Sequence, residues 1–167
     1  MRRSPITFRT ALRAFQDARG EAVDARFVAD LEFLENRDLD LSIRLGAMLA
    51  FNALMVTIGT HPISASPGAP LSLDAPSQPV LTLACCAALI PLIVSSFLCL
   101  RAMLIGEEVG GEGLESPESL RRRVLAAFIR SIDAQSRLLR HALYWTLAGG
   151  AANLIVWAAI LGDKLAR

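Results

Sequence analysis

Three long apolar runs divide the chain, and charged or polar segments separate them. The runs cover about residues 41–60, 80–101 and 142–161. Each run approaches the roughly 20 residues that a helix needs to cross the hydrocarbon core of a bilayer. The pattern therefore predicts an all-α integral membrane protein with three transmembrane helices.

The charged segments before the first and third runs also carry apolar residues at helical spacing. From Glu21 onward no proline interrupts the chain before the end of the first run. Before the third run, Ser116-Pro117-Glu118 is typical of a helix start, with a cap, a proline at the first position and an acid in the first turn. We therefore expect long cytoplasmic helices to extend the first and third transmembrane helices and to pair below the membrane.

The remaining segments complete the expected organisation. Residues 1–20 form an N-terminal amphipathic segment, in which Pro5 to Phe15 carries apolar residues at helical spacing. The three-span membrane domain covers residues 21–161. Within it, residues 106–116 read GEEVGGEGLES and form a Gly/Glu linker between the second and third helices.

The distribution of basic residues predicts the orientation in the membrane. Fifteen of the 17 Lys and Arg residues lie before Leu45 or between Arg101 and His141. The loop from Thr60 to Pro79 contains none of them and holds five of the eight prolines. Because short Arg-rich loops stay cytoplasmic, we expect a cytoplasmic N-terminus, an outward-facing loop and an extracytoplasmic C-terminus.

Composition agrees with this picture and argues against some partners. Apolar residues make up 53% of the chain, its mean hydropathy is +0.44, and its charged residues, 20% of the total, are segregated. This combination is typical of membrane spans joined to a polar region, so the lipid bilayer is an expected partner. The net charge of only +1 lacks the basic surplus of nucleic-acid-binding proteins, and we expect no nucleic acid.

No arrangement of residues indicates catalysis, so we expect neither an enzyme nor a cofactor. The three cysteines lie in one apolar run, where adjacent positions suit neither a metal cage nor a disulfide. The two histidines, His61 and His141, fall at opposite membrane faces and cannot share a metal ion. Gly110-Gly111-Glu112-Gly113 belongs to the linker and follows no strand, unlike a phosphate-binding loop.

Two amides lie deep within apolar runs, Asn52 and Asn153. They could line a path for an ion or solute, or form interhelical hydrogen bonds worth about 0.6 kcal/mol each on average. The second interpretation is favoured because Gly149 and Gly150 lie close to Asn153 in a run of small residues. Such a run lets another helix approach closely, and we expect it to form a packing face or the contact of a homo-oligomer.

Two further residues have special positions in the spans. Arg44 precedes the short apolar part of the first run, and we expect its side chain to reach the inner headgroups. Pro91 lies inside the second run, where it should kink the helix or leave a carbonyl unpaired. Ser95 and Ser96, one turn later, are expected to satisfy that carbonyl.

The densest basic cluster is Arg121-Arg122-Arg123, followed by Arg130. Guanidinium groups suit phosphate recognition because they donate two parallel hydrogen bonds. They also serve as ordinary juxtamembrane charge or pair with nearby acids, and for any single arginine this second interpretation is favoured.

The organisation resembles the small transmembrane effectors of Pycsar antiphage systems. Those proteins have similar length and begin and end with a cytoplasmic helix that enters a span. Their first span is similar to the segment from Arg44 to Asn52, which reads RLGAMLAFN, although the family more often has Lys at the position of Arg44. The segment from Val124 to Leu161 also resembles the family's last helix, and the resemblance covers about residues 27–161.

The resemblance implies a function, and the candidate residues can be combined with it in one hypothesis. It implies a protein of the bacterial inner membrane that senses a cyclic pyrimidine nucleotide, cyclic UMP or cyclic CMP, and impairs the membrane during phage infection. On this hypothesis cytoplasmic arginines meet the phosphate, polar side chains meet the base, and the spans form the moving part. The phosphate residues are Arg121, Arg122, Arg130 and Arg37, the base residues are Asn36 or Gln135, and the packing or gating residues are Arg44, Asn52, Pro91, Gly149, Gly150 and Asn153.

Two other functions remain open at this point. The chain could be a non-catalytic accessory subunit of a larger membrane complex, which the small-residue face suits equally well. It could also be a channel or transporter subunit, although its spans contain no carboxylate and transporters normally need ionisable groups within the membrane.

Overall fold

The computed structural model describes residues 25–66, 69, 71–105 and 117–166, and these residues form three helices joined by two connections. Helix α1 spans Ala25–Ser64, α2 spans Pro79–Met103 and α3 spans Pro117–Ala166. The described residues contain no strand. The expected segment 1–20 and linker 106–116 lie outside the described residues.

Each of the three helices is long and apolar enough to cross a membrane. The 25 residues of α2 alone reach about 38 Å, beyond the hydrocarbon thickness of about 30 Å. The expectation of an all-helical chain with three potential membrane spans is therefore confirmed.

Helix α1 ends later than the apolar pattern indicates. It continues four residues past Thr60, and Pro62 lies inside its last turn and is fully buried. The turn is stabilised by its surroundings: the Ser64 hydroxyl donates to the Thr60 carbonyl at 3.1 Å, and the Leu73 amide donates to the Pro62 carbonyl at 2.8 Å. Pro62 removes only the amide donor of the Ile58 carbonyl, and because it lies in the last turn it disturbs no later part of the helix.

The described chain divides into two compact units. The first, here the polar unit, contains residues 25–43, 103–105 and 117–137. The second, here the membrane unit, contains the described residues of 44–102 and 138–166. Helices α1 and α3 each contribute residues to both units, whereas α2 lies almost wholly in the membrane unit.

Two small apolar clusters hold the membrane unit together. The first is built from Leu45, Cys99, Ala102 and Ala142, one or two residues from each helix. The second contains Leu73, Cys85 and Ile160, so a residue of the connection between α1 and α2 packs into the bundle. The sequence pattern predicts this connection only as an outward loop, whereas Leu73 and the half-buried Leu71 pack it against the helices.

The membrane unit has apolar side chains on its outside and polar ones within. Leu83, Phe97 and Leu154 are 69%, 67% and 71% exposed, whereas its best-buried side chains include Asn52 and Ser95 at 0%. Contiguous exposed apolar surface is rare on soluble monomers. It is expected where lipid is the solvent, because there polar groups must find partners inside the protein.

The polar unit has a mixed distribution. On α3, Val124 and Phe128 are buried while Arg122 and Arg130 are exposed, a split that is typical of a helix that packs in water. On α1, the apolar Phe33 is 70% exposed.

Candidate functional site

A ring of hydrogen bonds joins the three helices near the middle of the membrane unit. Asn52 of α1 donates through Nδ2 to Ser95 Oγ of α2 at 2.9 Å. Thr146 of α3 donates through Oγ1 to Asn52 Oδ1 at 2.8 Å. Ser95 Oγ and Thr146 Oγ1 lie 2.8 Å apart, which closes the ring. Asn52, Ser95 and Thr146 are here called the polar ring.

The available hydrogens fix the direction of these bonds. An amide oxygen only accepts, so the Thr146 hydroxyl hydrogen points to Asn52. The Ser95 hydroxyl hydrogen is then available to Thr146 Oγ1 and to the Ala142 carbonyl, which lies 2.8 Å away. Met48 Sδ lies 3.3 Å from Thr146 Oγ1 and fills the remaining side. Asn52 therefore both donates and accepts within the ring, whereas the single Ser95 hydroxyl hydrogen goes either to Thr146 Oγ1 or to the Ala142 carbonyl.

The side chains of the polar ring are buried between the helices. Asn52 and Ser95 are 0% exposed and Thr146 is 5% exposed. Each interhelical hydrogen bond in a membrane protein is worth about 0.6 kcal/mol on average. Leaving one ring partner alone costs more, about 1–3 kcal/mol, because a buried polar group is then unsatisfied. The ring therefore specifies one rotational setting for all three helices.

Asn52 is the one ring residue that the sequence predicts to form interhelical hydrogen bonds, and the structure places its amide in such bonds. Thr146 gives no such signal, because a threonine at the border of an apolar run is common. The buried face of α3 carries the missing signal: Ala142, Thr146, Gly149 and Asn153 recur at spacings of three and four, so Thr146 shares their face.

The expectation for the serines after Pro91 is wrong. Ser95 donates across the bundle to α3, and Ser96 Oγ donates to the Leu92 carbonyl of its own helix at 2.9 Å. A helical serine reaches the carbonyl three or four residues earlier. The carbonyl that Pro91 deprives of a donor belongs to Ala87, about two turns before Ser95, and is beyond that reach.

The glycine pair of α3 is divided between two environments. A Cβ on Gly149 would lie 2.6 Å from Leu92 Cγ and 3.2 Å from the Leu92 backbone nitrogen. A Cβ on Gly150 would meet only Met55 Cε, at 3.9 Å. Gly149 thus serves the contact between α2 and α3 within one chain, directly beside Pro91.

Asn153 lies toward the end of the bundle where α1 ends and α2 begins, opposite a third glycine. A Cβ on Gly59 would lie 2.9 Å from Asn153 Oδ1 and 2.6 Å from Leu89 Cδ2. Asn153 is 4% exposed, and its Nδ2 has no hydrogen-bond partner in the described part of the chain. One turn further, the ring of Trp157 stacks on His61 with 6.5 Å between ring centroids. At this end of the bundle, close packing at Gly59 and the ring contact of Trp157 with His61 join the helices, and within the described residues the Asn153 amide nitrogen contributes no hydrogen bond.

The connection between α1 and α2 is tied to the end of α3. Gln78 Nε2 donates to Asp163 Oδ2 at 2.5 Å, and Gln78 is 8% exposed. The Gln78 backbone amide and the Ser77 amide both donate to the Asp74 carbonyl, at 2.8 and 3.1 Å. The connection therefore ends in a compact turn that bonds to α3.

The candidate ligand residues all belong to the polar unit, and the structure places them differently. Asn36, Arg122 and Arg130 are exposed, and the Arg121 side chain lies outside the described part. Arg37 pairs with Asp40 on its own helix at 3.5 Å, with both side chains about half exposed.

Gln135 is separated from the arginines. It is 7% exposed, and its Nε2 forms a long hydrogen bond of 3.5 Å with Ser131 Oγ. Five residues along a helix turn it by about 140°, so Gln135 faces away from Arg130. Arg44, the first residue of the membrane unit, is exposed, in a position that suits contact with headgroups.

Within the described residues, no group of three or more His, Cys, Asp or Glu could hold a metal ion. The three cysteines are free, with Cys85 and Cys99 buried and Cys86 exposed. Comparisons with protein-family models, with curated proteins and with solved structures find no match for this chain.

Proposed function

We propose that this protein is an inner-membrane effector that responds to a cyclic pyrimidine nucleotide and impairs the membrane. The proposal places the N-terminus and the polar unit in the cytoplasm and the C-terminus outside, following the arginine distribution. It also takes the acting form to be a homo-oligomer assembled through lipid-facing sides of the membrane unit.

The position of Asn52 carries the proposal. This residue ends the Arg44–Asn52 segment that resembles the Pycsar effector family, and it contacts both other helices through hydrogen bonds. A residue with this position affects the arrangement of the whole bundle. The segment that carries the resemblance is thus also the segment on which the bundle geometry depends.

Nucleotide recognition is assigned to the exposed face of the polar unit. Arg122 and Arg130 lie on the outer side of α3, eight residues and about 80° apart, so both side chains can reach one phosphate group. Arg121 and Arg37 remain candidates beside them. Asn36 is exposed and takes the role of contacting the base, since Gln135 is directed inward.

A ligand switches a protein only if it binds one arrangement better than another. Helices α1 and α3 each contribute residues to both units without interruption. A change in the polar unit on ligand binding can therefore be transmitted along these helices to the membrane unit. In this proposal, nucleotide binding favours an arrangement of α1 and α3 in which the membrane unit opens.

The test is thermal unfolding of the detergent-purified full chain with cyclic UMP, CMP, AMP and GMP. A ligand that binds only the folded form stabilises it by about 2.7 kcal/mol at 100 times its dissociation constant. We expect a rise in Tm with a cyclic pyrimidine nucleotide alone. Arg122→Glu with Arg130→Glu should abolish the rise, whereas Lys164→Glu, a charge reversal at the other end of α3, should leave it unchanged.

A second candidate function is decided by the same experiment. If none of the four nucleotides changes the Tm, the sensor proposal is wrong and the accessory-subunit function becomes the better explanation. That function predicts stable copurification with other membrane proteins, to which the exposed apolar sides of the membrane unit are suited.

A further inference from the structure

The polar ring hides polar groups of all three helices at one depth of the bundle. The nearby outward-facing residues Phe51, Phe97 and Leu147 are apolar and 49%, 67% and 61% exposed. Separation of the helices in dry lipid would leave an amide and two hydroxyls without partners, which is strongly unfavourable. Separation with entry of water would hydrate the same groups and remove most of that cost.

We propose that the polar ring is the closed gate of a water-filled path, and that Asn52, Ser95 and Thr146 line this path when it opens. The inference rests on the proposed membrane-impairing function and identifies the part of the molecule that would perform it. The permeating species are water and small solutes, since the ring supplies neutral donors and acceptors and no charge.

Weak points of two helices meet beside the ring. Pro91 lies four residues before Ser95 and deprives α2 of one backbone hydrogen bond. Gly149 lies three residues after Thr146 and touches Leu92, the residue after Pro91. Bends in helices occur at such prolines. The two helices can therefore change their direction about one turn from the ring without breaking the ring's own segments.

The gate predicts opposite effects for two kinds of substitution. Removing the partners of Asn52 leaves its amide unsatisfied in the closed form, whereas water satisfies it in the open form. Ser95→Ala with Thr146→Val should therefore favour the open form. Asn52→Leu replaces the amide by an apolar group that prefers the closed interior. The Ser95 and Thr146 hydroxyls still have each other and the Ala142 carbonyl as partners there, so this substitution should favour the closed form. A purely structural ring predicts no such change of sign.

The experiment measures release of a small dye from liposomes that contain equal amounts of each full-length variant, without nucleotide. One interhelical hydrogen bond shifts an equilibrium by about threefold on average, so loss of the ring's bonds to Asn52 should speed release about tenfold. Asn52→Leu should release dye more slowly than the unmodified protein. The matched control is Ser96→Ala with Thr57→Val, because both hydroxyls bond within their own helices; its release rate should be unchanged.

Thiol labelling gives a second measurement that does not depend on the size of the leak. In Thr146→Cys, a membrane-impermeant thiol reagent should react at a rate that rises with dye release. Leu147→Cys faces lipid and should stay unreactive. The unmodified protein, with its three cysteines in α2, sets the background.

The outcomes separate the gate from the sensor. Equal release from the ring variants and the control, or no labelling of the Thr146→Cys variant above background during release, would overturn the gate. Opposite changes in release without any effect of cyclic UMP or cyclic CMP would support the gate and remove the nucleotide sensor. Nucleotide-dependent release that is the same in all ring variants would support the sensor and overturn the gate.

Discussion

Gly149 of α3 lies directly against Leu92 of α2, so close that a Cβ on the glycine would stand 2.6 Å from Leu92 Cγ. Leu92 is fully buried and therefore has no free space into which to retreat. The contact explains why α2 and α3 approach closely beside Pro91. Close packing therefore requires a glycine at position 149 but not at position 150.

Substitution of this glycine should destabilise the bundle. Gly149→Ala adds a methyl group to a filled interior, which costs about 1–3 kcal/mol. Gly150→Ala meets only Met55 Cε at 3.9 Å, an ordinary contact, and should be neutral or slightly stabilising because alanine favours helix. Thermal unfolding in one detergent compares the two variants, and equal Tm values would show that the close contact is absent.

Asn52 and Thr146 should be energetically coupled. In a double-mutant cycle of Asn52→Ala and Thr146→Val, we expect a coupling free energy of about 0.6–1.7 kcal/mol, the range found for interhelical hydrogen bonds in membranes. The hydroxyl of Thr57 bonds to the Ala53 carbonyl of its own helix, so Thr57→Val with Asn52→Ala should show almost none. Equilibrium unfolding of the four variants in each cycle gives both values, and similar coupling in the two cycles would contradict the ring.

The hydrogen bond between Gln78 and Asp163 should hold the connection between α1 and α2 against α3. Gln78→Ala and Asp163→Ala each remove it, so each should increase hydrogen exchange in residues 71–78, and the double variant should exceed neither single variant by much. Asp74→Ala is the control, because Asp74 acts through its backbone carbonyl. Unchanged exchange in Asp163→Ala would show that other contacts, such as the packing of Leu73 and its amide bond to the Pro62 carbonyl, secure this segment without the side-chain bond.

The orientation can be measured with cysteines introduced at polar positions, with the unmodified protein and its three free cysteines as the background. We expect Asp74→Cys to react with a membrane-impermeant maleimide on intact cells, and Asp133→Cys to react only after the cells are opened. Both positions are exposed, so burial does not confuse the comparison. The reverse pattern would place the polar unit outside the cell and would exclude a cytoplasmic nucleotide sensor.

The arrangement within the bundle was only partly accessible from the sequence. Asn52 attracts notice because an amide in an apolar run needs a partner, but the run does not say which residue supplies it. Ser95 looked like a local partner for a carbonyl near Pro91 and instead bonds to α3. Gln135 looked like a neighbour of the arginines but is buried, whereas Arg122 and Arg130 on the same helix are exposed. Each of these depends on how a helix is rotated, which short motifs do not specify.

The sequence by itself determined that the chain is helical and which three segments can cross a membrane. Length and hydropathy are properties of a continuous stretch, and the need to satisfy every backbone group in lipid allows little besides a helix. Only the tertiary structure decided that Asn52, Ser95 and Thr146 form one ring and that Gly149 rather than Gly150 meets Leu92. These contacts join residues at least 43 positions apart, and they form because the packing of all three helices fixes their rotation together.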